Sequence, residues 1–281
     1  LDSRTEPERG DAAAIRRPPL LRELLLVTGL FLVYKFGRQL ANGHTAEAYR
    51  NAHHVWMWER SLPLPGEEAV QSALLHGDVL VRAANVYYVA VHFTATAAFL
   101  VWLYVKRPGH YLWARRVLAL VTGAALLLHL AFPLAPPRML DVAHLVDTGH
   151  VYGPTWYGAD PETDSMANQF AAMPSLHFGW ALMVAIGLIA ATRSRWRLLW
   201  LLHPLLTLVV IVGTANHYWL DAIVAAVLLG IALAVVRVPS SAPSRAPFGT
   251  PRAMPSPPAG PGAPAGGVAS AADSGLAEAL R

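Results

Sequence analysis

The sequence predicts an all-α polytopic membrane bundle of about six transmembrane helices, and three observations predict it. The 281 residues are 54% hydrophobic and only 14% charged, where a soluble domain averages about 25% charged. The mean hydropathy is +0.37. Six apolar runs, at about 20–36, 83–105, 117–133, 176–192, 198–214 and 218–236, each approach the ~20 residues that span a bilayer. There is no cysteine, which excludes disulfides and thiolate chemistry. The net charge of +4 comes from 20 Arg and 2 Lys against 18 acidic residues. These cations lie mostly between the apolar runs, so they read as a topology signal, and no nucleic-acid partner is expected.

Taken in order, residues 1–19 are polar and basic, with Pro18-Pro19 blocking a helix, and read as a disordered cytoplasmic lead. The first run, 20–36, carries Arg22 and Glu23 at its start. No cleavage site follows it, so it reads as an anchor. In segment 37–82, residues 45–60 are expected to be partly helical. Leu62-Pro-Leu-Pro-Gly66 breaks that helix, and 67–80 predicts a short amphipathic helix on the outer interface. Whether this segment is a packed cover or a substrate lid stays open. Between the second and third runs, 106–116 holds four basic residues in eleven, and Arg193, Arg195 and Arg197 crowd the next loop on that side. Segment 134–175 has one basic residue in 42, and the turn at 215–217 has no Lys or Arg. The positive-inside rule then places both termini in the cytoplasm and segments 37–82, 134–175 and the Asn216 turn outside. Arg38, Arg50 and Arg60 run against that assignment. The tail from 239 holds nine prolines and reads as a disordered cytoplasmic extension. The domain plan is therefore a lead at 1–19, a membrane domain at 20–238 and a tail at 239–281.

Chemistry concentrates at two borders where polar sequence gives way to apolar runs. In Asn216-His217-Tyr218-Trp219-Leu220-Asp221, His217 and Asp221 are four apart and share a helical face. A carboxylate one turn inside an apolar run costs several kcal/mol unless paired, on the order of 3. Pairing with His217 fixes its tautomer and leaves Nε2 nucleophilic. The alternative is a polar pair that staples two helices. In Met173-Pro174-Ser175-Leu176-His177, Pro174 suits a first helical position. The free N–H groups of that turn and the Ser175 hydroxyl make an anion site, with His177 placed to protonate a leaving oxygen. Arg138, after Pro136-Pro137, is the one basic residue of its loop. It either grips phosphate oxygens through two parallel hydrogen bonds or meets lipid head groups. Asn85, Tyr88 and His92 share a face of the second run and read as helix-to-helix hydrogen bonders. His129 and His203 read as packed. Asp160, Glu162 and Asp164 read as a solvated loop.

These three motifs together resemble the type 2 phosphatidic-acid phosphatase superfamily, and more closely its inositolphosphotransferase branch, which includes the inositol phosphorylceramide synthases of aureobasidin resistance. The resemblance runs from about residue 34 to 236. It implies a membrane helical bundle with its site at the outer membrane face, a lipid phosphate or phospholipid substrate, and no metal or other cofactor. It implies that His217 attacks phosphorus to form a phosphohistidine, that Asp221 orients it, and that His177 protonates the leaving alcohol and then activates water or an incoming alcohol. Arg138 and Ser175 would hold the phosphate oxygens. The chain departs from the phosphatases of the superfamily at two positions, with Ala131 and Ile211 where they carry a lysine and an arginine. A monoester dianion needs more positive charge than a diester monoanion, so the departure leans towards head-group transfer. Lys35, Arg38 or helix N-terminal N–H groups would have to compensate otherwise. The competing readings are a lipid-phosphate phosphatase using water, a transporter-like bundle, and a metal hydrolase using His177, His217 and Asp221. Against transport, the polar residues cluster at one interface and not at the midplane. The expected location is the plasma membrane, multi-pass.

Overall fold

The computed structural model describes residues 17–39, 44–155, 157 and 169–239. The lead before residue 17 and the tail from 240 onward fall outside the described residues, so their expected disorder does too. Among the described residues the chain is helical and has no strand; Leu134 and Ala171 form an isolated parallel bridge.

The first helix, α1 (Leu20–Gln39), is followed by a helical pair, α2 (Thr45–Arg60) and α3 (Glu67–Leu74). The amphipathic helix predicted at 67–80 is shorter than expected. Gly77 adopts an extended conformation and separates α3 from the next helix, α4 (Asp78–Lys106), which starts five residues before the predicted run. After a tight turn at Arg107, α5 (Pro108–Ala131) begins with proline in its first turn. Proline suits that position because it has no N–H to leave unsatisfied and its φ is already helical. The basic segment 106–116 is therefore largely helix, not loop. A short helix, α6 (Thr148–Tyr152), follows in the outer segment. Next come α7 (Leu176–Ala191), α8 (Leu202–Gly213, entered through a 3₁₀ stretch Arg197–Leu201) and α9 (Trp219–Val235).

Among the described residues two helices, α4 of 29 residues and α5 of 24, are long and apolar enough to cross a membrane. Helices α7 and α9 are as apolar but only 16 and 17 residues long. Each surrenders its site end to extended backbone that carries a motif, which is why both fall short of a full span. Helix α1 has the length but carries Arg22, Glu23 and Lys35.

Helix α7 is the centre of the bundle and packs on α4, α5, α8 and α9. It can do so because its buried face is small: Gly179, Ala181, Ala185 and Gly187 are buried, and Gly187 lies directly under the Phe99 ring. Small residues let helices approach closely where no hydrophobic effect drives association. Phe99, Leu103, Trp113, Val117, Val121, Met183 and Leu229 fill the core between these helices. A second core caps it, with Ala48, Ala52, Val55 and Trp56 of α2 packed on Leu134, Ala135, Phe170, Ala172 and Tyr218. Helix α2 thus covers the end of the bundle where both histidine borders lie.

The charges at the start of α1 have a partner. Glu23 is buried, receives the Tyr111 hydroxyl at 2.7 Å and pairs with the Arg115 guanidinium, so α1 is fastened to α5. Removing Glu23 leaves a half-buried guanidinium without its carboxylate. Glu23→Ala is expected to lower stability by about 3 kcal/mol, and Glu23→Ala with Arg115→Leu to recover much of it. Thermal unfolding in detergent measures both, and a Glu23→Ala melt equal to the wild type would refute the fastening.

Candidate active site

Four backbone hydrogen bonds bring the separated motifs to one place. The Leu134 N–H donates to the Phe170 carbonyl at 2.8 Å, and Ala172 returns a bond to Leu134 at 3.2 Å. The Arg138 N–H donates to the Ala215 carbonyl at 3.0 Å, and the Ser175 N–H to the Asp221 carbonyl at 3.1 Å. The start of α7, the start of α9 and the Arg138 turn are therefore stitched together through main chain. Ala215 takes a left-handed φ of 54° in the turn before His217. That conformation costs a non-glycine residue about 1 kcal/mol or more, and the tight packing around this buried residue sustains it. The turn lets the Asn216 and His217 N–H groups both reach the Ile211 carbonyl at 3.1 Å.

His217 lies 5% exposed with Nδ1 at 2.9 Å from the Ala172 carbonyl and 3.1 Å from Asp221 Oδ2. Both partners only accept, so Nδ1 carries the proton and Nε2 holds the lone pair. Asp221 is fully buried, and the same Oδ2 accepts the Tyr218 N–H at 3.0 Å. The carboxylate thus caps its own helix while it orients the imidazole.

Helix α7 starts at Leu176, so Pro174 stands outside it and Ser175 is its N-cap. Serine is a preferred cap because its short hydroxyl can accept from the first turn. Here Ser175 Oγ accepts the Phe178 N–H at 3.4 Å and is buried. His177 follows at the second helical position. Its ring stacks on Tyr88 with centres 4.3 Å apart and 17° between planes, lies 4.5 Å from His92, and is 5.8 Å from the His217 ring.

Arg138 is enclosed. One terminal nitrogen donates to Asn216 Oδ1 at 2.8 Å and the other to Gln169 Oε1 at 2.9 Å. Its Nε pairs with Asp147 Oδ2 at 3.3 Å, and its guanidinium lies 4.1 Å over the Tyr157 ring. Of five N–H donors, about two remain for a ligand. Asp147, Gln169 and Tyr157 were not picked out from sequence, and Asn216 only as the start of the His217 motif, because they are ordinary loop polar residues until the fold sets them around one guanidinium.

Tyr88 was read as a helix-to-helix bonder, yet it lies against His177 and 6.5 Å from the His217 ring. A π-helical turn at Tyr87–Val91 puts it there. In an α-helix, four residues overshoot one turn; the wider π-turn brings Tyr88 and His92 into line, and both face His177. Such turns are frequent at functional sites. Asn85 bonds the α6 segment, donating to the Thr148 carbonyl at 2.8 Å. His203 packs with Tyr87 at 2.7 Å, and His129 lies 3.4 Å from the Pro174 carbonyl. Ile211 is buried and Ala131 ends α5. The Lys35 and Arg38 side chains, and the acidic residues Asp160, Glu162 and Asp164, lie outside the described residues.

Burial alone would push the Asp147 carboxyl up. Its bonds from His150, the Arg138 charge and the Tyr157 hydroxyl outweigh that and hold it below the ordinary carboxylate range. A depressed carboxyl contributes stability above its unfolded value and loses it as pH falls through its folded value. The wild type is therefore expected to lose melting temperature more steeply than Asp147→Asn as pH falls from about 5 to about 3. Parallel curves would show that the pairing contributes nothing.

A family model described as the PAP2 superfamily matches residues 53–235, well over half of the chain. No curated protein and no solved structure matches it.

Proposed function

Because the chain belongs to the PAP2 superfamily, whose members act on lipid phosphates in association with membranes, we propose that it transfers a phosphoryl or phospho-inositol-like head group between lipid-borne hydroxyls through a phosphohistidine. The observation that carries this reading is the His217 imidazole, with Nδ1 held between Asp221 and the Ala172 carbonyl and with the His177 ring 5.8 Å away.

In the first half-reaction His217 Nε2 attacks phosphorus as the bond to the leaving alcohol breaks. His177, entering as imidazolium, gives that alcohol its proton. The bond from Nδ1–H to Asp221 strengthens as His217 becomes cationic. In the second half, neutral His177 takes the proton of the acceptor hydroxyl, whose oxygen attacks phosphorus and releases His217. Arg138 supplies its remaining N–H donors to the phosphoryl oxygens, and the first-turn N–H groups of α7 add to them. Ser175 contributes by holding that turn in place. Positioning and charge stabilisation are what phosphoryl transfer chiefly asks of a protein.

The charge balance favours a diester substrate. Arg138 is paired with Asp147 and His217 with Asp221, while Ala131 and Ile211 supply no cation. A diester monoanion fits that balance better than a monoester dianion, which supports the inositolphosphotransferase branch. The same reading has α1, α4, α5, α7, α8 and α9 as six spans of a plasma-membrane domain at 20–238. Both termini are then cytoplasmic and the histidines lie at the outer face, under α2 and α3.

The deciding experiment supplies purified protein with a labelled phospholipid or polyprenyl phosphate, with and without an alcohol-bearing lipid, and follows head-group transfer and free phosphate. Transfer without free phosphate is expected; free phosphate alone would make it a phosphatase, and neither product would overturn the reading. His217→Ala should abolish acid-labile phosphoenzyme and turnover while the protein still folds. Asp221→Asn should slow turnover about 10²-fold or more. Tyr88→Ala should cost about 10²-fold through a displaced His177, with Tyr88→Phe recovering most of it.

A further inference from the structure

We infer that Glu59 and Glu67 hold one proton between them, and that this acid pair is a clamp that positions the helix carrying Asp221. Both carboxyl groups are almost wholly buried, at 3% and 1% exposed. Glu59 Oε1 accepts the Leu220 N–H at 2.7 Å, the second residue of α9 and the neighbour of Asp221. The same hairpin takes a second hold on α9, because the Trp219 indole N–H donates to the Pro65 carbonyl at 2.8 Å. Glu67 Oε2 pairs with Arg60, which is itself laid 3.9 Å over the Trp56 ring.

That leaves two oxygens, Glu59 Oε2 and Glu67 Oε1, closed off from solvent and without a donor. The two side chains line one small recess, and each contributes one of these oxygens. Two ionised carboxylates cannot satisfy one another, and a buried acceptor left bare costs the desolvation of a charge. A proton shared between the two oxygens removes one charge and satisfies both. An external cation does not fit as well, because neither oxygen is open to solvent. Burial, with the neighbouring Glu67 carboxyl second, pushes the Glu59 carboxyl up to about 9. The charged and titratable groups facing the pair are Arg60 and, through it, Glu68 from the hairpin, and Tyr218 and Asp221 from the start of α9. Loss of the shared proton sets Glu59 against both Glu67 and Asp221, and so pushes the α2–α3 hairpin away from the helix it holds.

The sign of the pH effect follows. A carboxyl raised in the folded state contributes stability that is full below its ordinary value, near 4.5, and is lost as pH rises towards about 9. Glu59→Gln keeps an oxygen for the Leu220 N–H and offers a permanent N–H to Glu67, so it needs no proton. The full chain in detergent is melted between about pH 5 and pH 9. The wild type is expected to lose at least ~3 °C more across that window than Glu59→Gln. Equal losses overturn the shared proton. The positioning role rests on the phosphotransfer reading and is tested separately, by phosphoenzyme formation. Glu59→Leu should slow it, and Glu59→Gln should recover most of the rate and extend activity to higher pH. Equal rates and pH limits in the Leu and Gln variants overturn the clamp. If no phosphoenzyme forms in any variant, the phosphotransfer reading fails while the melting data still decide the acid pair.

Discussion

A fully buried carboxylate has few ways to exist inside an apolar helix, and Asp221 relies on one oxygen for its side-chain bonds while Oδ1 is buried with no donor. One oxygen of its side chain serves the His217 ring and the Tyr218 N–H, and its main-chain carbonyl takes the Ser175 N–H. The two side-chain bonds relieve part of a desolvation cost that would otherwise be prohibitive. The three bonds each fix a different piece of chain: the histidine before α9, the first turn of α9 and the cap of α7. One residue therefore joins two motifs more than forty residues apart in sequence, through its main chain as well as its side chain. Helix α7 can carry its share of this because its glycines and alanines let four helices close around it.

The electrostatics follow the same rule of local pairing. Arg138 has its carboxylate in Asp147, His217 has Asp221, Arg60 has Glu67, and Arg115 has Glu23. Hardly any charge in the described interior stands unopposed. A phosphate entering such a site meets donors already committed to protein acceptors, so it must win them by geometry more than by attraction. Distances among rings and amides then matter more to the chemistry than net charge does.

Much of this was visible in the sequence, because hydrophobic transitions are local. The borders at Leu176 and Trp219, and the apolar runs behind them, follow from where polar residues stop. The pairing of His217 with Asp221 was read from helical spacing, but His217 precedes the Tyr218 cap of α9, so the turn before the helix brings its ring to the carboxylate. The misses are of another kind. Pro108 starts a helix inside a basic stretch that looked like a loop, because its fixed backbone outweighs the charges around it. Glu59 and Glu67 were not singled out, because only the packing of α2 and α3 on the start of α9 buries them. Asp147 and Gln169 acquire meaning only when 134–172 folds back on itself. Tyr88 was noticed as a helix-to-helix residue, but its stacking on His177 was not foreseen, since no periodicity announces a π-turn.

That π-turn has a consequence for how this chain can be compared and rebuilt. It accommodates one more residue than an α-helical turn of the same height, so α4 is out of step on its two sides. Asn85, which holds the outer segment, lies before the bulge, and His92, which meets His177, lies after it. A one-residue deletion between 87 and 91 would let the helix relax to ordinary geometry and so become locally more regular. Because the π-turn takes up its extra residue at nearly constant height, the turns on either side would keep their relative orientation, and what would change is the placement of Tyr88 within the bulge. Any alignment with another chain that runs through this helix without a gap is therefore a statement about whether the bulge is shared.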